Sequence, residues 1–577
     1  MPKKSKYSHL SREQLEAKLE KLERERYGLV WEDKEEDVAK QCETELPVLK
    51  EDTFREIIND STKPYNFIIE GDNYHSLYTL NFTHKKKIDV IYIDPPYNTG
   101  NKNEWKYNDS WVDKTDFYRH SKWLSFMNKR LKLSRSLLRN TGVIFISIDD
   151  NEFAQLKLLC DNIFGEHNFL GEIVWETATD NNATQISVEH EYVLCYAKNK
   201  NLQNKWQVKS DKAIIIQNKY EELKKKYKGN INLIEKSLRN WINAQKKSKE
   251  LDLSGVSHYC YVDEKGVFYP GNSANTKPGG YIFDIIHPTT KKVCSKPENG
   301  YRWPEKTFWD ADKNNNVLWG GNENTIPKIK KRIETATELL KAYFYEDNRK
   351  STKALINLME GKVFNNPKSM NLLKKIIRFT TNENSLILDF FAGSGTTGHA
   401  VLELNKEDGG NRQFILCTNN ENNICEEVTY PRIKKVIEGY ADKAGIPANV
   451  KYFKQSFVPN IANDQDKREL VNCSTELLCV AENTFEKVVK RSPKSEFAIF
   501  KNATKQTAII YDEESVEKCV NKLNSINSSL ETVVYVFSYD HTYDEEDFKN
   551  LKIDFSVKPI PEAILNIYRK ITKMKKK

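Results

Sequence analysis

The run Ile91-Tyr92-Ile93-Asp94-Pro95-Pro96-Tyr97 puts a carboxylate, two prolines and a phenol ring at the end of a short apolar stretch. Proline fixes φ and has no N–H, so Pro95-Pro96 holds the chain after Ile93 in a defined extended turn with its carbonyls turned outward. The Asp94 carboxylate and the Pro95 carbonyl become adjacent fixed acceptors, matched to the two donors of an aromatic NH₂ group. Accepting both draws the nitrogen lone pair out of conjugation and makes a poor nucleophile reactive. Tyr97 supplies a stacking face, and chemistry on a duplex base requires that the base leave the stack for such a pocket. Asp-Pro alone marks a stiffened strand end. The clamp reading rests on the whole tetrapeptide behind a β-branched run and before Asn98-Thr99-Gly100-Asn101.

A second run could cradle a cofactor. Ser385-Leu386-Ile387-Leu388-Asp389 reads as a buried strand, and Phe390-Phe391-Ala392-Gly393-Ser394-Gly395-Thr396-Thr397-Gly398 as a tight glycine loop opening a helix. Such a loop lets backbone approach a ligand while a helix N-terminus faces it. Gly393-x-Gly395-x-x-Gly398 also fits the dinucleotide fingerprint, with Glu421, beyond the strand Gln413 to Cys417, as the acidic residue about 20 positions on. No Lys-Ser/Thr pair follows the glycines, which excludes a nucleotide-triphosphate loop. An adenosine-bearing cofactor fits, and the loop alone leaves methyl and hydride transfer both open. A nicotinamide enzyme has no evident use for an Asp-Pro-Pro-Tyr clamp, whereas a sulfonium methyl donor beside a held amine needs only in-line geometry.

With both motifs present, the chain resembles the DNA amino-methyltransferases that use S-adenosylmethionine. The resemblance implies that Asp94, Pro95, Pro96 and Tyr97 are catalytic and that Asp389, Phe391, Gly393, Ser394, Gly395, Thr396 and Glu421 bind the cofactor, with no metal. Aspartate rather than serine at the head of the clamp favours adenine N6 over cytosine N4. The clamp precedes the cofactor loop in the chain, which in this resemblance marks the circularly permuted β group with its target-recognition region inserted between. Phe67 to Asn73 looks like the strand whose terminal Asp72 contacts the cofactor adenine, and His190 to Lys198 like the last sheet strand. Asn366-Pro367-Lys368, before Leu372-Leu373, looks like the segment over the methionine part, with Lys368 near its carboxylate. Here the chain has Ser369 where the usual pattern is Lys-Pro. The runs Trp123 to Leu131, Gly142 to Glu152 and Pro559 to Tyr568 are similar to the Mod subunits of type III restriction-modification systems. That similarity implies a flipped adenine of double-stranded DNA as substrate, with a second copy and an ATP-dependent restriction subunit as partners.

These groups meet only if the chain folds as a doubly wound, mostly parallel α/β sheet, seven-stranded in the resemblance. Strands are predicted near 66–70, 88–93, 143–148, 172–175, 192–197, 386–389 and 413–417, alternating with helices, and ligands bind such sheets at the carboxyl ends of the strands. The expected domains are a helical segment over 1–50, the first catalytic part over 51–198, a target-recognition insert over 199–360, the cofactor part over 361–462 and an assembly domain over 463–577. Ser11-x-x-Gln14 predicts a capping box opening a helix that runs to Gly28 and packs on its own protein or a dimer partner. Within the insert, Lys224-Lys225-Lys226, Lys246-Lys247 and Lys328 to Arg332 are candidate phosphate contacts, weighed against solvated helix faces. Tyr259, Tyr261, Tyr269, Tyr281, Tyr301, Trp303, Phe308 and Trp309 suit either base contact or a small core. Residues 98–116, with Trp105, Tyr107 and Trp111, read as a loop that closes over a bound base or as a fixed surface loop.

The 577 residues suffice for about three or four domains. The net charge of +8 is a small excess of 90 basic over 82 acidic residues, so a basic patch matters more than the total. Ten cysteines without Cys-x-x-Cys spacing argue against a zinc site and for reduced thiols, and no apolar run approaches a membrane span. A cytoplasmic protein is expected. Methylation of RNA or of a protein amide, a stand-alone adenine methyltransferase, a nicotinamide oxidoreductase and a non-catalytic specificity module are the competing readings.

Overall fold

Aliphatic runs apolar on both faces belong in the middle of a parallel sheet covered by helices, and seven of them take that place here. The computed structural model describes residues 10–24, 29–101, 105–177, 185–248, 250–493, 496–526, 529–540 and 542–575. Its main sheet is built from β1 (Glu45–Glu51), β2 (Tyr65–Glu70), β3 (Ile88–Ile93), β4 (Leu138–Ile148), β5 (Phe169–Glu176), β6 (His190–Ala197), β7 (Tyr343–Tyr345), β8 (Leu386–Asp389), β9 (Gln413–Thr418) and β10 (Asn449–Pro459). The spatial order is β1-β10-β2-β9-β8-β3-β4-β6-β5-β7. The seven expected strands lie side by side from β2 to β5. All are parallel except β6, which runs antiparallel to both neighbours.

The sheet is wider than the seven strands expected. β10 adds in parallel to β2, β1 closes that edge antiparallel to β10, and β7 extends the other edge in parallel to β5. β10 hides its character because Lys451 is buried within it, which becomes tolerable through ion pairs to Glu51 and Glu56. β1 contains Pro47, which only an edge strand accepts. The helical segment expected over residues 1–50 is therefore interrupted by a strand at 45–51. Its first helix, α1 (Arg12–Arg24), does open on the capping box: Gln14 N donates to Ser11 Oγ at 3.2 Å and Ser11 N to Gln14 Oε1 at 3.0 Å. Gly28, expected to end it, lies outside the described residues.

Two compact units form, residues 1–204 with 341–577, and residues 205–340. The insert expected over 199–360 thus ends earlier, because residues from Lys341 onward supply β7 to the main sheet. The C-terminal segment makes a five-stranded sheet of β11 (Glu486–Val489), β12 (Phe497–Lys501), β13 (Lys505–Ile510), β14 (Glu531–Phe537) and β15 (Phe555–Ile560) in that order. Rather than a separate domain, it shares one continuous core with the main sheet, from Leu77 and Tyr78 to Leu478, Tyr535 and Tyr568. The Tyr568 hydroxyl donates to the Pro47 carbonyl at 2.8 Å, and its ring meets that of Tyr78 edge-on at 4.7 Å.

The inserted unit has helices at 211–226 and 231–248 and a four-stranded sheet, with cores of its own. Tyr259, Tyr301 and Phe308 are buried in those cores, while Tyr281 is half exposed. The lysines at 224–226 and 246–247 fall in the last turns of their helices, where cations complement the helix dipole. Lys330 and Arg332 pair with Asp263 at 2.8 and 2.5 Å. Tyr259, Tyr301 and Phe308 thus take the core reading, and Lys330 and Arg332 have partners within the unit. Among the described residues no helix is long and apolar enough to cross a membrane.

Candidate active site

The register of β3 against β8 pairs Ile91 with Leu388, so Asp94 and Asp389 both fall at the carboxyl ends of adjacent parallel strands. After β3 the chain is extended through Pro95-Pro96, and Trp123 Nε1, from α3 (Arg119–Leu137), donates to the Pro96 carbonyl at 2.7 Å. Asn98 then turns the chain at φ +58°, a left-handed conformation that asparagine tolerates. Its amide is buried: Nδ2 donates to Glu152 Oε1 at 2.5 Å, and Oδ1 accepts from Trp105 Nε1 at 3.2 Å.

Behind β8 the loop makes its turn with Gly393 at φ +50° and Gly395 at φ +76°. A helix follows, here α6 (Thr396–Asp408) after α2 (Asn73–Thr83), α4 (Phe153–Phe164) and α5 (Met370–Thr380). Gly398, in its first turn, would place a Cβ 2.9 Å from Ile433 Cδ1 and 3.0 Å from Leu416 Cδ1, so its role is close packing of α6 on β9. Asp389 accepts from Phe391 N at 3.0 Å and Thr397 Oγ1 at 2.6 Å, and burial, outweighing those bonds, lifts its carboxyl to about 7. The hydroxyls of Ser394 and Thr396, expected to bind cofactor, instead receive Arg432 Nη1 at 3.0 and 2.8 Å. Arg432 is buried with Nε unpartnered, and desolvation lowers it to about 10.

The other expected cofactor residues sit at strand ends too. Asp72 follows β2 and caps α2, accepting from Tyr74 N at 2.7 Å, with Arg130 Nη2 at 3.4 Å. Glu421 follows β9 and pairs with Lys106 at 2.6 Å. Lys106 belongs to the loop after the clamp, whose Trp105 and Tyr107 are buried, so this part of the loop is anchored. Phe391 packs on Phe126, 5.8 Å away, and Phe126 on Trp105 at 5.2 Å. Lys368, expected near the cofactor's carboxylate, is tied to the clamp. It donates to the Tyr97 hydroxyl and to Glu191 Oε2 at 2.5 Å, and lies 3.3 Å from Asp94 Oδ1. Ser369 explains the departure from Lys-Pro. It is the N-cap of α5, accepting from Leu372 N at 3.1 Å and donating to Glu346, neither of which a proline could do.

Charges in the cleft are coupled. Burial raises Asp94, Lys368 pulls it down and Glu191 pushes it up again, with a net rise. Burial opposes the charge on Lys368, but Asp94 and Glu191 outweigh it and the net shift is upward. Glu191, at the start of β6, has no motif to mark it. Nor has Glu152, whose Oε1 also meets His120 Nδ1 at 2.6 Å while Oε2 is buried without a partner. Desolvation lifts Glu152 to about 8 and lowers His120, so burial favours the uncharged form of both.

A carboxyl raised on folding favours the native state only while the native form holds the extra proton. That stability is complete below about 4.5 and is lost as pH rises towards about 8. Relative to the wild type, Glu152→Gln should gain melting temperature as pH rises across this interval, because the variant lacks this one of the raised carboxyls. Calorimetry at matched ionic strength checks it; parallel curves for the two proteins would refute the assignment. Among the described residues no cluster of His, Cys, Asp or Glu is arranged to hold a metal.

A doubly wound sheet with acidic residues and a glycine loop at its strand ends defines an α/β class with a ligand cleft, and comparison with known proteins narrows it. The DNA methylase family of N6 and N4 amino-methyltransferases matches residues 88–430, and the chain belongs to that family. It is 36% identical over 425 residues to the type III restriction-modification enzyme EcoP15I Mod subunit of Escherichia coli, covering 68% of this chain and 64% of that one. It is 31% identical over 423 residues to the StyLTI Mod subunit of Salmonella typhimurium, covering 68% and 59%. Against the type II methyltransferase M.KpnI of Klebsiella pneumoniae it is 33% identical over 385 residues, covering 63% and 82%. The chain thus spans less than two thirds of the length of the two Mod subunits.

Proposed function

We propose that this protein transfers a methyl group from S-adenosylmethionine to N6 of an adenine flipped out of double-stranded DNA, as the modification subunit of a type III restriction-modification system. The observation that carries this reading is the placement of Asp94 and Asp389 at the ends of neighbouring strands, which brings the clamp and the glycine loop to one cleft. Asp94 and the Pro95 carbonyl accept the two N6 hydrogens and Tyr97 offers its ring to the base. The loop from Phe391 to Thr396, the N-terminus of α6, Asp72 and Glu421 would hold the methyl donor. The donor set fits an adenosine: backbone N–H groups at a helix N-terminus and acidic side chains at strand ends. As the N–C bond forms the C–S bond breaks and the thioether leaves. One N6 proton then passes to Asp94, whose burial favours protonation, and on to water.

DNA, a second copy and an ATP-dependent restriction subunit are the partners this function implies, in the cytoplasm. Similarity to both type III and type II enzymes keeps a stand-alone adenine methyltransferase as the second reading. Modification-sensitive sequencing of DNA from cells expressing the chain should show N6-methyladenine in one sequence context. Modified cytosine, or no modified base with protein present, would overturn the proposal. Co-purification with a restriction subunit separates the two readings.

A further inference from the structure

Glu191 has no part in the transfer as described. β6 runs antiparallel to its neighbours, so its first residues lie at the carboxyl ends of the parallel strands, with Glu191 opposite Trp175 of β5. Glu191 Oε2 accepts from the Tyr97 hydroxyl at 2.9 Å and from Lys368 Nζ at 2.5 Å. The same ammonium stands 4.7 Å from the centre of the Tyr97 ring and 5.2 Å from that of Trp175. One carboxylate therefore ties together three segments distant in sequence: the clamp, the start of β6 and the segment leading into α5.

Two consequences follow. Held at Cβ by the backbone and at Oη by Glu191, the Tyr97 ring is fixed in orientation. The ammonium sits beyond the hydroxyl edge of the ring, donating to the same oxygen, and so adds a second tether at that end. In addition, two carboxylates sharing a cleft repel each other unless a cation lies between them, and Lys368 is that cation.

We propose that Glu191 is a positioning residue of the clamp: it holds Tyr97 by its hydroxyl and Lys368 by its ammonium, fixing the orientation of the ring that meets the base and keeping a single cation beside Asp94. The inference deepens the methyl-transfer reading and rests on it.

The test is steady-state methyl transfer to DNA by the full chain across the pH range, for the wild type, Glu191→Ala, Glu191→Gln, Tyr97→Phe and the double variant Glu191→Ala/Tyr97→Phe. Glu191→Ala should lose about 30-fold in kcat with the KM for the methyl donor within about threefold, since ground-state donor binding is not what the residue supports. Glu191→Gln keeps an acceptor for Tyr97 and should recover part of that loss. The groups facing Asp94 are Lys368, Glu191, Tyr97, Tyr92 and, from β8, Asp389. Removing the negative charge of Glu191 eases ionisation of Asp94, so the acidic limb of kcat should move to lower pH in both Glu191 variants by about half a unit. The double variant should be slower than Glu191→Ala by no more than about twofold, because both changes break one bond. A kcat within twofold of wild type with an unmoved acidic limb, or multiplicative losses in the double variant, would overturn the inference. Should Glu191→Ala not fold, the near-isosteric Glu191→Gln carries the same pH test. A wild type that transfers no methyl group overturns the functional reading itself; an active wild type with unaltered Glu191 variants overturns only the role given to Glu191.

Discussion

Asp94→Ala should lower kcat about 10³-fold, with binding of S-adenosylmethionine little changed, because loss of one preorganised acceptor or donor aimed at a reacting centre costs roughly 10²–10³ in rate. Asp94 does two things at once: it draws the amine lone pair towards nucleophilicity and offers a place for the proton that leaves. The residue stands outside the glycine loop, so donor affinity is insulated from the change, and the loss should appear in kcat rather than KM. Asp94→Asn keeps one acceptor without the charge and should fall between wild type and alanine. Equilibrium binding of the donor alongside transfer kinetics separates the two effects. Comparable losses in donor binding and in kcat would contradict the role.

The second large effect concerns Arg130, whose side chain is 1% exposed. Its guanidinium pairs with Glu36 at 2.7 Å, donates to Asn73 Oδ1 at 2.5 Å and to the Phe126 carbonyl at 3.1 Å, and lies 3.7 Å from the Phe126 ring centre. Asn73 in turn donates to the Phe390 carbonyl at 3.0 Å, which connects α3 to the glycine loop. Arg130→Met fills similar volume but leaves Glu36, whose side chain is 6% exposed, only the more distant Lys129 at 3.8 Å, and breaking one partner of a buried pair costs about 3–5 kcal/mol. Urea unfolding should show that loss as a lowered midpoint at unchanged slope. Adding Glu36→Gln should restore part of it, since the stranded charge is what costs most. A loss under about 1 kcal/mol, the range of exposed pairs, would show that the pair is not the buried element described here. The KM for the methyl donor should rise in the same variant, through the Asn73 bridge to the loop.

What could be read from residues alone is what neighbours in the chain determine. Prolines 95 and 96, the glycines of the loop and the apolar run before each acidic residue impose their geometry within a few bonds, so the clamp, the loop and seven strands were visible without coordinates. The capping box at Ser11 belongs with them. Residues that acquire their role across the chain were not visible. Glu191 reads as one residue of an ordinary strand until Tyr97 and Lys368 reach it, and Glu152 as a polar helix start until Asn98 and His120 bury it. Lys368 was assigned from resemblance to the cofactor's carboxylate, and its partners within the chain lie just after β3 and on β6. Nothing local distinguishes those destinations, because lysine reaches far and pairs with whichever carboxylate the fold supplies. The edge strands failed for a different reason. β1 and β10 carry proline, lysine and glutamine at positions that only their mutual pairing makes acceptable. In the insert, basic and aromatic residues suited DNA, yet Lys330, Arg332, Tyr301 and Phe308 stabilise the unit itself. Composition cannot separate a core aromatic from a contacting one.

The most direct test of the central claim is to incubate the purified chain with duplex DNA and S-adenosylmethionine carrying a labelled methyl group, digest the DNA to nucleosides and identify the labelled one. Label in N6-methyldeoxyadenosine, lost in Asp94→Ala, is the expected result. Label in a cytosine derivative, or label that persists without Asp94, would contradict it.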